Sequence, residues 1–268
     1  MNALFLNKNV LDFGNFDEHT ILLNNEFIPE AKQDNYRADI SGLWLEKDEK
    51  IYYFKTVSDD YSLLAEFVGE KVSEYFNLET VHYHLATGKD KNKKSIYGLA
   101  SEYMVKPNCF YQTWEQYLRE KNFYGKRSVN DLSILELFEQ DFMSQPIIEQ
   151  TKAFFIRELL TNEDDRNINE LLIKEVQDRV SLGYLVDYAT ECRLPYRYCQ
   201  FVPFGYKLSL RDFGVVEQIV RDDTFQKYVE KALLFQIKRT LKEIKEMHSL
   251  LIPKEIEENF EHFFGKSQ

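Results

Sequence analysis

Apolar positions recur along this chain with two different periods. Residues 1–35 are polar and irregular, broken by short apolar runs such as Thr20-Ile21-Leu22-Leu23. Ile40-Ser41-Gly42-Leu43-Trp44-Leu45, the polar turn Lys47-Asp48-Glu49-Lys50, and Ile51-Tyr52-Tyr53-Phe54-Lys55 predict a strand, a tight turn and a second strand. Leu63, Leu64, Phe67, Val68, Val72, Tyr75 and Phe76 then fall at helical spacing, with Asn77 as the stop. Thr80 to Ala86 alternates as a strand, Lys89 to Lys94 is a solvated turn, and Ser95 to Met104 is the partner strand. Lys106-Pro107-Asn108 breaks this pattern, and the remaining chain reads as mainly helical.

Within the second part, residues 131–162 contain a helix that ends in Lys152-Ala153-Phe154-Phe155-Ile156-Arg157-Glu158-Leu159-Leu160. After a polar loop, Leu171 to Val176 and Leu182 to Asp187 predict a hairpin. Residues 224–250 are helical, with Leu233, Leu234, Ile237, Leu241, Ile244, Met247 and Leu250 on one face expected to be core. Pro253 starts a last helix. The expected architecture is α+β, with a small β-rich lobe over residues 1–105 and a larger helical lobe over 106–268.

Composition narrows the classes. Hydrophobic residues make up 44% and aromatics 15% of the 268 residues, enough for a sizeable core. A formal net charge of −11 argues against nucleic acid as a general partner, because phosphate backbones attract Lys and Arg. No apolar run reaches the roughly 18 residues of a membrane span. The start of the chain lacks the basic region and apolar run of a signal peptide. Cys109, Cys192 and Cys199 are odd in number and form no C-x-x-C pair, so free thiols in a reducing cytoplasm are the expectation, with a Cys192–Cys199 disulfide the lesser alternative. His82 and His84 form an H-x-H pair on a strand with no third ligand evident, which reads as structural.

Four features line up in order. Lys55 ends a strand, and strand alternation lets it face a cleft while Phe54 packs away from it. Glu66 follows in the first turns of the amphipathic helix, where it can hold a lysine that contacts nucleotide phosphates. The polar loop contains Asp164-x4-Asn169, a carboxylate to orient a hydroxyl and an amide to ligate Mg²⁺. Asp187 closes the hairpin, where a carboxylate could share Mg²⁺ with Asn169. Each has a plainer reading, an exposed Lys or Glu, a loop Asp or Asn, a capped strand end. Only their order makes the set specific.

In this order the chain resembles the HipA-like kinase family, including its cell-translocating kinase branch. The resemblance covers roughly residues 38–190. It rests on Asn162-Glu163-Asp164-Asp165-Arg166-Asn167-Ile168-Asn169 against the family's Asn-x-Asp-Arg-His-x-x-Asn, on Val186-Asp187-Tyr188, and on Tyr53-Phe54-Lys55 followed by Glu66 and Phe76-Asn77-Leu78. It implies a two-lobed protein-kinase-like fold that uses ATP and Mg²⁺. Asp164 would be the catalytic carboxylate, Asn169 and Asp187 the metal ligands, Lys55 the phosphate lysine and Glu66 its partner. The backbone of Glu102-Tyr103-Met104 would be the hinge that meets adenine.

The departures define the alternatives. Arg166 stands where the family carries His, and its guanidinium suits the transferred phosphoryl group. Asp165 precedes it in place of Arg, and Tyr188-Ala189-Thr190 replaces the small residues expected after the metal Asp. No glycine-rich phosphate loop exists among only 10 Gly, which leaves Ser41-Gly42 as the best candidate, or as an ordinary strand pair. Arg211-Asp212-Phe213-Gly214 offers Asp212 as a second metal carboxylate, too far past Asn169 for one hairpin. The expected activity is phosphoryl transfer to a protein Ser or Thr. The alternatives are a pseudokinase or nucleotide-binding module on the same fold, and a small-molecule kinase.

Overall fold

The computed structural model describes residues 10–20, 42–57, 59–103, 109–122, 139–161, 172–177, 179–185 and 221–266. The first strand pair forms as its alternation predicts. Strands β2 (Leu43–Lys47) and β3 (Lys50–Thr56) run antiparallel, with Leu43 opposite Phe54 and Lys47 opposite Lys50. The turn between them places Asp48 and Glu49 at φ 51° and 62°, the left-handed pair that matches strand twist in a two-residue hairpin. Strands β4 (Tyr83–Lys89) and β5 (Ser95–Glu102) form the second antiparallel pair. In their turn the Asp90 carboxylate accepts from the amides of Asn92 and Lys94 at 2.9 and 2.8 Å.

The irregular N-terminal text contains structure that its composition hides. Strand β1 (Leu11–Asn15) lies parallel to β4, and a short helix α1 (Phe16–His19) follows it. The sheet order is β1-β4-β5-β3-β2. Its two edges curl towards each other: Thr20 bridges to Leu45, and Lys47 Nζ donates to the Asp12 carbonyl at 2.6 Å. Phe13, Phe16, Leu45, Phe54, Ala86 and Ala100 fill the inside of the curl. Phe13 and Phe16 sit one strand–helix junction apart, so neither the period of a strand nor that of a helix revealed them.

Helix α2 (Asp60–Tyr75) covers the outer face of this sheet. Asp59 caps it by accepting from the Ser62 amide at 2.7 Å. It ends where Asn77 takes φ 59°, with Asn77 N–H bonded to the Glu74 carbonyl and Leu78 N–H to the Ser73 carbonyl, a Schellman motif. The Asn77 stop is thus set by the left-handed conformation that Asn tolerates.

The second lobe opens on a strand rather than a helix. Strand β6 (Phe110–Thr113) leads through a Thr113–Gln116 capping box into helix α3 (Trp114–Glu120). Helix α4 (Gln145–Thr161) follows, then strands β7 (Leu172–Val176) and β8 (Arg179–Leu182), in an antiparallel sheet of order β6-β7-β8. The hairpin expected at 171–187 therefore turns early. Gln177 takes φ 49° and Val176 already opposes Arg179, so the second strand starts at Arg179 and ends at Leu182, where the expected one began. Leu185 then leaves the hairpin to bridge Thr80 of the first lobe, with Val81 N–H bonded to its carbonyl at 3.1 Å.

The helical stretch at 224–250 is two helices, α5 (Gln226–Leu233) and α6 (Ile237–His248), before α7 (Lys254–Lys266). The break changes which apolar residues are inside. Phe235, Ile237, Leu241, Ile244 and Leu250 are buried, whereas Leu233, Leu234 and Met247 are exposed by half or more. Their expected place in the core is corrected by that break, since Phe235 in the connection takes the inward position. Helices α6 and α7 pack on α2 through Phe67–His248 and Tyr61–Phe260, with ring centroids 4.2 and 4.6 Å apart. Among the described residues no helix is long and apolar enough to cross a membrane. Cys109 is a free thiol, while Cys192, Cys199 and the expected lobe boundary at 105–108 lie outside the described residues, save that Cys109 itself follows the boundary directly.

Candidate functional site

Strand alternation decides where Lys55 points. Phe54 is fully buried inside the curled sheet, so Lys55 emerges on the opposite face, beneath α2. There its Nζ forms an ion pair with Oε1 of Glu66. The Glu66 side chain is 0% exposed and that of Lys55 12%. Lys55 Nζ also lies 5.4 Å from the centre of the Tyr83 ring. Taking both charges out of water costs several kcal/mol per ion, which a single contact rarely repays. A pair buried this deeply is weak support for the fold and a strong way to fix where the ammonium sits.

One turn further along α2, a second buried charge begins. Arg157 of α4 is 0% exposed. Its Nε donates to Ser73 Oγ at 3.1 Å, its Nη2 to the Gly69 carbonyl at 3.2 Å, and its Nη1 to Glu158 Oε1 at 2.5 Å. Glu66, Gly69 and Ser73 follow at three- and four-residue spacing, so they share one face of α2. That face therefore carries Lys55 at one end and Arg157 at the other. Helix α4 ends at Thr161, directly before Asn162–Asn169 in the sequence. The sequence held a signal for this: Arg157-Glu158 interrupts the apolar run Phe154-Phe155-Ile156 and Leu159-Leu160, and a charge pair inside such a run is a buried pair.

The expected hinge is partly described. Glu102 ends β5 and pairs with Lys50 at 2.7 Å, both exposed. The Tyr103 amide donates to the Ile51 carbonyl at 2.8 Å, so that N–H is committed to the sheet. Trp44 stands between Tyr53 and Tyr103, with ring centroids 4.9 and 5.7 Å away. Tyr53 lies two residues before Lys55 and so on its face of the strand, which makes these rings an aromatic wall beside the lysine. The sequence reading gave Tyr103 a backbone role in the hinge and assigned none to the Trp44 and Tyr53 rings. Tyr184, half-buried beside Tyr103 and Tyr111, has its phenol pushed well up by desolvation, with the neighbouring phenols adding to the effect.

Gly42 lies one step beyond the Leu43–Phe54 pair, across from Lys55. A Cβ there would overlap the Tyr53 hydroxyl and ring as they now lie, so the glycine lets the tyrosine cross this position. Ser41, Met104, Asp164, Arg166, Asn169, Asp187 and Asp212 lie outside the described residues.

No protein-family model matches the sequence, and no curated protein does. The fold, in contrast, is shared. The chain is similar to the proinflammatory kinase CtkA of Helicobacter pylori, with a TM-score of 0.58, 96% of this chain and 93% of that one covered, and 11% identity. HipA of Shewanella oneidensis MR-1, solved with HipB and its operator DNA, gives a TM-score of 0.47 over 91% of this chain and 66% of that one, at 10% identity. The strand carrying Lys55, the helix carrying Glu66 and the helical second lobe are thus parts of a two-lobed α+β fold shared with CtkA, in a strongly divergent sequence.

Proposed function

We propose that this chain transfers a phosphoryl group from ATP to a hydroxyl, with a protein Ser or Thr as the acceptor. The observation that carries the reading is the Lys55–Glu66 pair, buried between strand and helix at the place where kinases fix a lysine against nucleotide phosphates. Lys55 neutralises phosphate charge, and Glu66 keeps its ammonium from collapsing elsewhere. Asp164 orients the acceptor hydroxyl and takes up its proton. Arg166 offsets charge on the transferred group. Asn169 and Asp187 offer an amide oxygen and a carboxylate, hard donors of the kind Mg²⁺ prefers, and Mg²⁺ held there would neutralise the phosphates. The Trp44, Tyr53 and Tyr103 rings supply an apolar surface for a base. The acidic net charge of −11 supports a partner other than nucleic acid.

The test is transfer of the labelled γ-phosphate from Mg²⁺–ATP by the wild type, Asp164→Ala, Asp187→Ala and Asp212→Ala. Loss in the first two variants with retention in the third supports the assignment. Equal labelling in all four sinks it.

A second reading has its own support. The Tyr103 amide is committed to Ile51, and Tyr53 crosses Gly42, so two backbone positions expected to meet nucleotide are engaged by the protein. This favours a pseudokinase that binds nucleotide without transferring phosphate. It predicts a thermal shift with Mg²⁺–ATP and no labelled product against either protein or small-molecule acceptors.

A further inference from the structure

Helix α2 carries a second cluster of ionisable groups, beside the start of β4 and one helical turn beyond Glu66. Glu70 and Glu74 are one turn apart on the helix, and His82 stands just before β4. One ligand atom from each lies within 4.8 Å of the others. Their orientation is the informative part. Glu70 is 3% exposed, and its Oε2 is held by the Tyr83 amide at 3.0 Å. Glu74 Oε2 is held by Lys71 Nζ at 2.7 Å. Each carboxylate thus has one oxygen anchored by a donor of the protein. The other two oxygens converge on one imidazole nitrogen: His82 Nδ1 is 3.0 Å from Glu70 Oε1 and 3.5 Å from Glu74 Oε1.

Two ligands of a tetrahedral zinc at about 2.1 Å from the ion stand roughly 3.4 Å apart. The observed separations of 3.0 and 3.5 Å bracket that spacing. The anchoring donors play the part that outer-shell partners play in metal sites, fixing the ligands before the ion arrives. His82 is 56% and Glu74 37% exposed, which leaves an entry path from solvent and room for water in an open position.

We infer that Glu70, Glu74 and His82 form a binding site for a borderline divalent cation of the Zn²⁺ or Co²⁺ class. One nitrogen and two carboxylate oxygens suit such ions better than the hard Mg²⁺ that serves nucleotides. The ion takes the place of the hydrogen that His82 Nδ1 now shares with Glu70, and the imidazole keeps its hydrogen on Nε2. The bound ion staples α2 to the start of β4, one helical turn from Glu66. Lys71, whose Nζ is 2.7 Å from Glu74 and 4.0 Å from Glu70, is the resident charge that opposes it. This inference does not depend on phosphoryl transfer.

The experiment is titration of the full chain with CoCl2 in the absence of nucleotide, read by visible absorption, with ZnCl2 competition. The wild type is expected to give a saturable band at one equivalent that Zn²⁺ removes. His82→Ala and Glu74→Gln, both at exposed positions, should weaken binding at least tenfold, while Lys71→Met should tighten it. Mg²⁺–ATP thermal shifts measured alongside should be the same in the His82 and Glu74 variants as in the wild type. A band unchanged in His82→Ala, or no stoichiometric binding by the wild type and Lys71→Met, overturns the site.

Discussion

Arg157 Nη2 donates to the main-chain carbonyl of Gly69 at 3.2 Å, across the junction of α4 and α2. This contact joins the helix that precedes Asp164 in the sequence to the helix that holds Glu66. Because the acceptor is a backbone carbonyl inside a helix, the geometry is fixed by the helix itself and not by a side-chain rotamer. The guanidinium fork reaches Ser73 and Glu158 at the same time, which a lysine could not do.

Replacement of Arg157 by Met should be strongly destabilising, by about 3–5 kcal/mol, because it removes a buried charge together with its bonds to Glu158, Ser73 and Gly69. Arg157→Lys keeps the charge and loses the fork, and should fall between. Urea unfolding of both variants measures this. A loss below about 1 kcal/mol for Arg157→Met would show that the network adds little to the fold.

The Lys55–Glu66 pair makes a different prediction, because Lys55 is partly exposed and Glu66 is not. Lys55→Met takes the ammonium from a carboxylate that is 0% exposed, and Glu66→Leu takes the carboxylate from an ammonium that is 12% exposed. The first single variant should therefore unfold more easily than the second. The double variant should be more stable than Lys55→Met, by about 1–4 kcal/mol, since buried pairs often exchange for apolar residues without loss. All three should lose the Mg²⁺–ATP thermal shift. A double-mutant cycle in urea, with the shift recorded for each protein, checks both parts.

What the sequence made legible follows from periodicity. The β2–β3 and β4–β5 hairpins and α2 were readable because their apolar positions repeat cleanly and their turns carry Asp, Asn and Lys. Lys55 and Glu66 were readable because strand alternation and helix position place them without tertiary information. Helix α1 was not, because four residues complete barely one turn. Strand β6 was missed because Phe110-Tyr111-Gln112-Thr113 runs straight into a helix, and its pairing to β7 is a contact over sixty residues distant in sequence. The exposure of Leu233 and Leu234 was misjudged because one helical phase was extended across a break at Leu234–Gln236. The third ligand for His82 escaped notice because Glu70 and Glu74 face it only after α2 packs on β4.

Glycines near Lys55 give a graded test of packing. A Cβ at Gly98 would overlap the Lys55 carbonyl, a backbone atom that cannot move aside. A Cβ at Gly42 would meet the tip of the Tyr53 side chain, which can swing away. Gly98→Ala should cost about 1–3 kcal/mol and disturb the Lys55 ammonium, while Gly42→Ala should cost less. Thermal unfolding ranks the two, and equal losses would mean that Tyr53 is as rigid as the sheet.

The last prediction concerns pH. His248 lies against the Phe67 ring, and its pKa is lowered from 6.5 to about 4 by burial, with His84 and Lys71 adding positive potential. The folded protein therefore keeps this imidazole neutral where the unfolded chain would protonate it. Between about pH 6.5 and pH 4 the unfolded state binds more protons, so this contribution is complete above pH 6.5 and is lost as pH falls towards 4. After discounting for the ring's partial exposure, the loss is on the order of 1–2 kcal/mol. His248→Phe keeps an aromatic ring against Phe67 and removes the titration. Carboxylates titrate in both proteins alike, so the difference in Tm between variant and wild type isolates the imidazole. That difference should shift in favour of His248→Phe by about 2–6 °C on going from pH 7 to pH 5. A constant difference would mean that the imidazole is protonated as readily in the folded chain as in the unfolded one, and that α6 opens around it without cost.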